Sequence, residues 1–294
     1  MTVASDDDLV NALWQKRIRW SHTATRMKQR IDRLRMTVLY LSCWGAIAAA
    51  LTATVLRQSG LPSRIVAATG AAALAAATFV GAQFVTSEAV QRWTRARAVS
   101  EGMRQQIFRF RAIPGTVAQL RAEVEELEQA AEDLLCFLDE APTAGPAPGP
   151  LSPEQYASKR VEGQITNYYC PSALRYSARA QFLRRVAIAL GLVATIAASF
   201  NTAVSADAAT RIAPWIAVLT TLSGSLVAFL ASKRYDFLVV SYLATANRLQ
   251  RLLDHWRTAG SPTDPPRWSQ FVDDCENAIS TENESWLAKW ADAK

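Results

Sequence analysis

Four long runs of apolar residues without a single charge alternate along the chain with polar, charge-rich segments. The runs cover residues 36–56, 65–87, 186–206 and 212–232, and a charged residue bounds each of them on both sides. A helix needs about 20 apolar residues to cross the hydrocarbon core of a bilayer. One such run is compatible with the core of a large soluble protein, but four runs in two pairs are not. The pattern predicts an all-α integral membrane protein with four transmembrane helices as two hairpins, and long cytoplasmic helices that form a helical bundle.

Basic residues flank the outer ends of both predicted hairpins. They are Arg26, Lys28, Arg30, Arg33, Arg35, Arg92, Arg95, Arg97, Arg104, Arg175, Arg179, Arg184, Arg185, Lys233 and Arg234. The connecting loops hold only Arg57 and Arg64 in the first hairpin, and Arg211 beside Asp207 in the second. Positively charged flanks stay on the cytoplasmic side of a membrane. We therefore expect both termini and the central segment in the cytoplasm.

The net charge of +6 comes mostly from these flanking residues. They suit an anionic lipid surface, so the lipid bilayer is an expected partner and a nucleic acid is not. The four cysteines include no C-x-x-C pair, and neither His22 nor His255 has ligand spacing around it. No disulfide, metal site or cofactor is expected from this pattern.

One order of elements occurs twice along the chain: a cytoplasmic helix, a hairpin of two spans, and a second cytoplasmic helix. The first unit covers residues 1–140 and the second covers 152–294, in the same membrane orientation. The proline- and glycine-rich linker 141–151 separates them, because no helix crosses such a sequence. A last cytoplasmic helix is predicted over 268–291, with an apolar stripe that docks on other helices.

A heptad pattern follows the helix-breaking pair Pro114-Gly115. Thr116 is placed to cap a helix over 116–139, with Gln119 as its capping-box partner. Apolar residues then recur at alternating spacings of three and four, at Val117, Leu120, Val124, Leu127, Ala131, Leu134 and Leu138. Either this acidic helix folds back on the basic helix before it, or it forms a coiled coil between subunits.

Another helix restarts after the linker. Ser152, Pro153 and Glu154 provide an N-cap, a proline at the first helical position and an acid in the first turn. The pair Cys170-Pro171 is predicted to kink or break this helix before the third span.

The second span is rich in small residues. We expect Gly70, Ala71, Ala75 and Gly81 to let neighbouring helices approach closely, because close backbone packing holds helices together in lipid. Other spans carry hydroxyl groups, and Thr220, Ser223 and Gln83 are candidates to line a passage. Alternatively, the hydroxyls bond to their own helix and the amides lie in the membrane interface. With no charged residue in any span, a conducting path would be weakly selective and would gate by dewetting.

Catalytic motifs are missing from the sequence. It has no P-loop, no dinucleotide-binding glycine fingerprint after a strand, and no nucleophile elbow. Strand patterns are nearly absent, so the chain does not contain an α/β nucleotide-binding domain. We therefore predict that the protein is not an enzyme. A nucleotide that acts on it would bind between cytoplasmic helices or act through a partner.

Two segments of the second half carry a recognisable pattern. YASKRVEGQITNYY reads as Y-x-x-x-R-V-x-x-Q-x-x-x-Y-Y, with Tyr156, Arg160, Gln164, Tyr168 and Tyr169. CENAISTENESW reads as an acidic helix that ends E-x-x-x-W, with Glu282 and Trp286. Together they resemble the SLATT family, bacterial two-span effector domains associated with SMODS nucleotidyltransferases and SLOG nucleotide sensors. The first half is similar to a more diverged copy, in which Trp14 and Trp20 replace the paired tyrosines.

The resemblance implies a multi-pass protein of the bacterial inner (plasma) membrane. Such proteins are thought to oligomerise and open a pore when a nucleotide-based immune signal arrives. The implied partners are further copies of the chain, and a nucleotide second messenger or a cytoplasmic sensor protein. Two functions stay open: a pore-forming effector of antiviral defence, and a membrane-anchored scaffold or sensor that recruits a partner without conducting. The pore requires a homo-oligomer, because four spans are too few to enclose a water-filled path.

Overall fold

The computed structural model describes residues 6–138, 140 and 145–291, without the side chains of 282–291. This part of the chain is almost entirely helical and contains no β-strand, which confirms the all-α prediction. The α-helices are α1 (Asp6–Thr54), α2 (Leu61–Phe84), α3 (Ser87–Ala112), α4 (Val117–Gln129), α5 (Pro153–Gln155), α6 (Cys170–Asn201), α7 (Ala206–Lys233), α8 (Tyr235–Thr258) and α9 (Pro265–Ala291). A 3₁₀ helix covers Glu132–Phe137, and the first and second π segments cover Tyr156–Glu162 and Ile165–Tyr169.

Two compact units make up the chain, and each takes segments from both halves of the sequence. The helical unit consists of Met1–Arg30, Ser87–Ala173 and Val240–Lys294. The membrane unit consists of Ile31–Thr86 and Leu174–Val239. The two sequence units, 1–140 and 152–294, thus describe the order of elements along the chain and do not coincide with the compact units. That the two sequence units are repeats stays a prediction.

The membrane unit holds the apolar parts of the longest helices. In the described part of the chain, four helical stretches are long and apolar enough to span a bilayer, beginning at Asp6, Leu61, Pro153 and Ala206. Their apolar windows are mostly unburied, and Tyr40, Phe182 and Phe200 are 65, 66 and 67 % exposed. Large apolar side chains exposed to this extent fit a lipid environment and not water. The prediction of four membrane-spanning helices is confirmed.

Three helices end earlier than the predicted spans. They end at Thr54, Phe84 and Asn201, whereas the charge-free runs continue to 56, 87 and 206. A run without charge also includes uncharged loop residues, so it overestimates the helix. Gly60 in the first connecting loop has φ of 59°, a conformation that glycine adopts without steric cost.

Small residues bring α1 and α2 into close contact. Gly70, Ala73 and Ala77 are the buried residues of α2. A Cβ atom placed on Gly70 would lie 2.7 Å from the Cβ of Ala48 in α1. Gly70 therefore lies at a close backbone approach of the kind that holds helices together in lipid.

Three other residues predicted to pack lie outside this contact. Ala71 and Ala75 are exposed in the single chain. A Cβ on Gly81 would make only an ordinary contact, 3.9 Å from Val38. For contacts within the chain, the packing face of α2 is thus Gly70, Ala73 and Ala77, and not Ala71, Ala75 or Gly81. The sequence does not separate these faces, because small residues occur on every side of α2.

A hydrogen bond joins the two helices of the second hairpin. Ser223 Oγ in α7 donates to the carbonyl oxygen of Ala187 in α6 at 2.8 Å. Ala187, Ala194 and Val218 are buried around this contact or along the same helices. The hydroxyl of Ser223 therefore joins α7 to α6 within the chain, and its predicted role in a passage stays a prediction.

In the helical unit, α3 packs against α4 and α9. Gly102 of α3 makes room for Leu127 of α4, whose methyl groups lie 3.1 Å from the position of a Cβ on that glycine. Arg95 of α3 pairs with Asp133 through hydrogen bonds of 2.6 and 2.8 Å. The buried residues of the heptad pattern are Leu120, Val124, Ala131 and Leu134. The acidic segment thus folds back on the basic helix in the same chain, as the first of the two explanations predicted.

Helix α4 is shorter than the predicted helix over 116–139. It ends at Gln129, and the chain then tightens into the 3₁₀ helix Glu132–Phe137. Thr116 caps α4 as predicted, because its hydroxyl oxygen accepts a hydrogen bond from the backbone N–H of Gln119 at 3.3 Å. The side chain of Gln119 bonds forward along the helix instead of returning to the cap.

The helix before the third span is not broken at Cys170-Pro171. It continues from Pro153 to Asn201, and the two π segments precede Pro171. Proline removes a backbone donor, and the wider i→i+5 turns of the π segments absorb that loss without a break. Its start is as predicted, because Ser152 and Gln155 form a complete capping box before the helix.

Replacing Gly70 by leucine is expected to destabilise the first hairpin. Its new Cβ would lie 2.7 Å from that of Ala48, and overpacking a tight contact costs about 1–3 kcal/mol. Ala72→Leu is the matched control, because its side chain is exposed two residues further along the same helix. Thermal unfolding in detergent should show a lower midpoint for Gly70→Leu alone. Equal midpoints for the two variants would contradict this packing face.

Candidate functional site

A buried ion pair joins the first π segment to α9. Arg160 Nε donates to Glu276 Oε1 at 2.9 Å, and Arg160 Nη2 donates to Glu276 Oε2 at 2.7 Å. The two side chains are 2 % and 1 % exposed. Two parallel charge-assisted hydrogen bonds are the strongest form of arginine–carboxylate pairing. The pair therefore fixes where the first π segment lies along α9.

Aromatic side chains enclose this pair. The ring centroid of Phe108 in α3 lies 4.3 Å from the guanidinium carbon of Arg160. Tyr156 donates its hydroxyl proton to Glu276 Oε1 at 2.8 Å, and its ring meets the edge of Trp268 at 5.6 Å. Glu276 thus accepts three hydrogen bonds in a setting otherwise covered by rings.

Burial and pairing act in opposite directions on these groups. Burial disfavours the Arg160 cation, but the charge and hydrogen bonds of Glu276 outweigh this effect and raise the pKa of Arg160. Burial, reinforced by the negative charge of Glu276, raises the pKa of Tyr156 well above its usual value. Tyr156 therefore stays neutral and remains a hydrogen-bond donor to the carboxylate.

Three tyrosines form a second contact between elements. Tyr168 and Tyr169 of the second π segment lie 5.7 and 5.8 Å from the ring of Tyr242 in α8. The hydroxyl of Tyr168 accepts a hydrogen bond from Arg97 of α3 at 2.7 Å. The tyrosines therefore attach the second π segment to both α3 and α8.

Positive charge exceeds negative charge around the buried pair. Arg17 of α1 and Arg104 of α3 both interact electrostatically with Arg160, and Glu101 partly offsets them. We call Arg17, Arg104 and Arg160 the arginine cluster. Burial and repulsion by Arg104 lower the pKa of Arg17 to about 10, and burial and repulsion by Arg160 lower the pKa of Arg104. Burial opposes ionisation of Glu101, but the surrounding arginines outweigh it and lower the pKa of this carboxyl.

The cluster retains hydrogen-bonding capacity. Among the residues that the structure describes, no group accepts a hydrogen bond from Arg17 Nε, Arg104 Nε or Arg160 Nη1. Arg104 is 27 % exposed, so part of the cluster reaches the surface of the unit. Partly buried guanidinium groups with spare donors are suited to hold an anion with several oxygen atoms, such as a phosphate.

Most residues of the sequence motif take part in these contacts. Tyr156 and Arg160 surround Glu276, and Tyr168 and Tyr169 form the tyrosine contact. Gln164 is half-buried and stands between the two groups in the sequence. The side chains of Glu282 and Trp286 lie outside the described residues, so their roles stay predictions.

Glu276 is the residue that the sequence motif missed. It stands in the quoted segment CENAISTENESW, next to Cys275, and is fully buried. An acid beside the apolar residues of an amphipathic helix indicates a buried partner of opposite charge. That signal was present in the sequence, but it did not identify Arg160 as the partner.

The residues predicted to line a passage have different surroundings. Gln83 is exposed near the end of α2. Thr220 is exposed, and its hydroxyl donates to the carbonyl oxygen of Ile216 in its own helix at 2.9 Å. Ser223 instead bonds to Ala187 in the neighbouring helix. The structure therefore does not bring these three residues into one site within a single chain.

Removing the carboxylate of Glu276 is expected to destabilise the protein strongly. Glu276→Ala leaves Arg160 buried without its partner, and the loss of one partner of a buried pair costs about 3–5 kcal/mol. Glu88→Ala is the control, because Glu88 pairs with Arg92 at 2.6 Å and is 72 % exposed. An exposed pair contributes about 0–1 kcal/mol. Thermal unfolding monitored by circular dichroism would separate the two variants.

A double variant tests whether the buried charge is the cause. Arg160→Met combined with Glu276→Leu leaves no charge in the pocket, so it should recover much of the loss seen in Glu276→Ala. Similar losses for Glu276→Ala and Glu88→Ala would show that the pair has no special role in stability.

Two family profiles match the sequence. Residues 156–286 match the SMODS and SLOG-associating 2TM effector domain 1, and residues 18–115 match a protein family of unknown function, DUF4231. No curated protein and no solved structure matches the chain. The first match runs from Tyr156 to Trp286, so it includes both motif segments and the buried pair. It confirms the resemblance found in the sequence: residues 156–286 match the SLATT family of two-transmembrane effector domains.

Proposed function

We propose that this protein is an effector of the bacterial inner membrane that assembles from several copies and forms a gated pore in nucleotide-signalled antiviral defence. The observation that carries the proposal is the match of residues 156–286 to a two-transmembrane effector domain associated with SMODS and SLOG. The chain joins this domain to two further helices able to span a bilayer. Opening a pore needs no chemical step, so we also propose that the protein is not an enzyme.

Several copies are required because one chain supplies only four spans. Ala71 and Ala75 are small, and they are exposed on a different face from the contact of α2 with α1. Transmembrane helices associate through small residues of this kind. These residues, which do not pack within the chain, are therefore proposed as a contact between copies.

The orientation follows from the distribution of basic residues. Arginine and lysine lie at the outer ends of the hairpins, and the connecting loops hold few of them. Such residues stay on the cytoplasmic side, so the termini and the helical unit are placed in the cytoplasm. A cytoplasmic signal would then reach the arginine cluster without crossing the membrane.

The arginine cluster is the proposed point of action of an anionic signal. Arg17 and Arg104 repel each other at the edge of the buried pair and have donors that no described residue uses. An anion would reduce the repulsion between the two arginines and accept hydrogen bonds from those donors. Without an anion, the repulsion destabilises the folded protein. Both a nucleotide second messenger and an acidic surface of a cytoplasmic sensor protein have this chemistry.

Gln83 and Thr220 are the residues proposed to face the passage between copies. Both are exposed in the single chain. No span contains a charged residue. Such a passage would therefore be weakly selective, and a few polar groups would determine whether water enters it.

A second function is a membrane-anchored scaffold or sensor that recruits a partner without conducting. One observation favours it: the hydroxyl groups of Thr220 and Ser223 are both bonded to backbone carbonyl groups within the chain. Spans whose polar groups are satisfied internally suffice as an anchor. In this case, the helical unit alone would carry the function.

Replacing Thr220 by valine is expected to lower ion flux. The change keeps the shape of the side chain and removes a hydroxyl from the proposed passage, which raises the barrier to wetting. Thr78→Val is the matched control, because Thr78 is exposed in α2 and also bonds to its own helix, at 3.0 Å to Leu74. Flux would be measured in cells as loss of membrane potential on induced expression, and in liposomes as release of a small dye.

The outcomes separate the two functions. Loss of potential with wild-type protein, and a smaller effect with Thr220→Val than with Thr78→Val, supports the pore and this passage. An intact potential, together with a detergent-extracted mass of a single chain, contradicts the pore. Equal effects of the two threonine variants would be compatible with conduction but would show that Thr220 does not line the passage.

Replacing Arg17 by glutamine is expected to abolish stabilisation by an anionic ligand. Pyrophosphate and a cyclic dinucleotide serve as probes, and a ligand at 100 times its Kd raises the free energy of unfolding by about 2.7 kcal/mol. Arg19→Gln is the control, because Arg19 is exposed on the same helix. Without ligand, Arg17→Gln should be at least as stable as the wild type, since it removes the repulsion by Arg104.

Thermal unfolding with and without each probe gives both readouts. A ligand-induced rise in the midpoint that is lost in Arg17→Gln and kept in Arg19→Gln supports the site. No rise in wild type with either probe, or the same loss in both variants, would contradict direct binding of a nucleotide at the cluster.

A further inference from the structure

A cavity of about 270 Å³ lies inside the membrane unit, between α1, α2 and α7. Its lining includes Arg35 and Ser42 from α1, Gly81 from α2, and Ser225 and Ser232 from α7. Every lining residue belongs to the membrane unit. The cavity is therefore a feature of that unit alone.

The cavity extends from the boundary of the membrane into its apolar layer. Arg35 immediately precedes the charge-free run of the first span, and Ser232 ends that of the fourth span. Ser42 and Ser225 lie seven residues deeper in α1 and α7, which corresponds to about 10 Å at a rise of about 1.5 Å per residue. The space has the depth of a lipid headgroup region followed by the first part of an acyl chain.

The walls of the cavity are mostly apolar, with a cationic group at the boundary and Ser42 and Ser225 at the deeper end. Val38, Leu39, Ala228 and Phe229 contribute to the walls. Among the residues that the structure describes, no group accepts a hydrogen bond from the buried Nε of Arg35. Apolar walls below a guanidinium group match the two parts of a phospholipid.

Arg35 lies near a carboxylate that also pairs with a lysine. Asp32 attracts Arg35 and Arg234 repels it, and Asp32 is paired with Lys233. A phosphate group at the mouth of the cavity would add negative charge beside Arg35 and accept a hydrogen bond from its Nε.

We propose that this cavity binds one anionic phospholipid, with its phosphate at Arg35 and an acyl chain against Gly81 and Phe229. A second copy of the chain is a poorer occupant. In the same orientation it would bring its own basic boundary to the same level of the membrane, where like charges repel. The site does not depend on conduction, so evidence against the pore would not contradict the lipid site.

Lipid retention by the full chain tests this site. The protein would be reconstituted in vesicles of equal phosphatidylglycerol and phosphatidylcholine, extracted in mild detergent and analysed by native mass spectrometry. One basic side chain near a membrane surface supports a preference of about fivefold for anionic lipid, so wild type should retain phosphatidylglycerol by about this factor or more. Arg35→Gln should reduce the preference to about equal retention.

Two control pairs separate the site from general effects. Arg64→Gln removes an exposed arginine at the opposite end of the first hairpin and should leave the preference unchanged. Gly81→Leu fills the cavity without a clash, since its Cβ has only Val38 nearby at 3.9 Å, and should reduce total lipid retention. Gly224→Leu, in which the Cβ meets nothing within 4 Å, should not. Circular dichroism checks that each variant is folded.

Specific results would overturn the proposal. Equal retention of the two lipids by wild type would show that the cavity has no preference for anionic lipid. Equal effects of Arg35→Gln and Arg64→Gln would show that the preference comes from general surface charge. Unchanged lipid retention in Gly81→Leu, with a lower oligomeric mass, would assign the cavity to a contact between copies.

Discussion

The helical unit depends on the ion pair between Arg160 and Glu276. It lies where α3, the first π segment and α9 meet, with Phe108 against the guanidinium group and Tyr156 on the carboxylate. A buried charge without a partner is so unfavourable that only arrangements that keep this pair together are stable. Apolar contacts between the same helices would tolerate a shift along the helix axis. We infer that the pair selects one alignment of these elements from several that hydrophobic packing alone would allow.

The membrane-spanning helices were predictable because their property belongs to single segments. An apolar run of sufficient length needs lipid whatever its neighbours are, so the residues between Arg35 and Arg57 determine their own environment. Capping at Thr116 and Ser152 was predictable for the same reason, because donor and acceptor lie within one turn. The ends of the spans were predicted less accurately, since uncharged residues at these ends are compatible with either a helix or a loop.

Features that depend on a partner element were predicted less well. Small residues occur on every side of α2 within residues 70–81, so the position of α1 determines that Gly70 is buried and that its neighbour Ala71 is exposed. In α9, Glu276 belongs to the motif region, and only the location of Arg160 shows that this acid is buried and paired. The heptad pattern likewise predicted the buried face of α4, but it did not decide whether α3 or another subunit packs against that face.

Each compact unit contains a partly buried arginine whose Nε has no hydrogen-bond acceptor among the residues that the structure describes. Arg17, beside Arg104, is an example in the helical unit, and Arg35, at the mouth of an apolar cavity, is an example in the membrane unit. Stability alone would favour a neutral side chain at either position, because burial of the guanidinium group and repulsion by neighbouring cations both disfavour the charge. Local rules of stability are most often broken at functional sites. The surroundings then distinguish the ligands: Arg17 lies among other arginines and suits a compact anion with several charges, whereas Arg35 stands above apolar walls and suits an anion with a hydrocarbon chain.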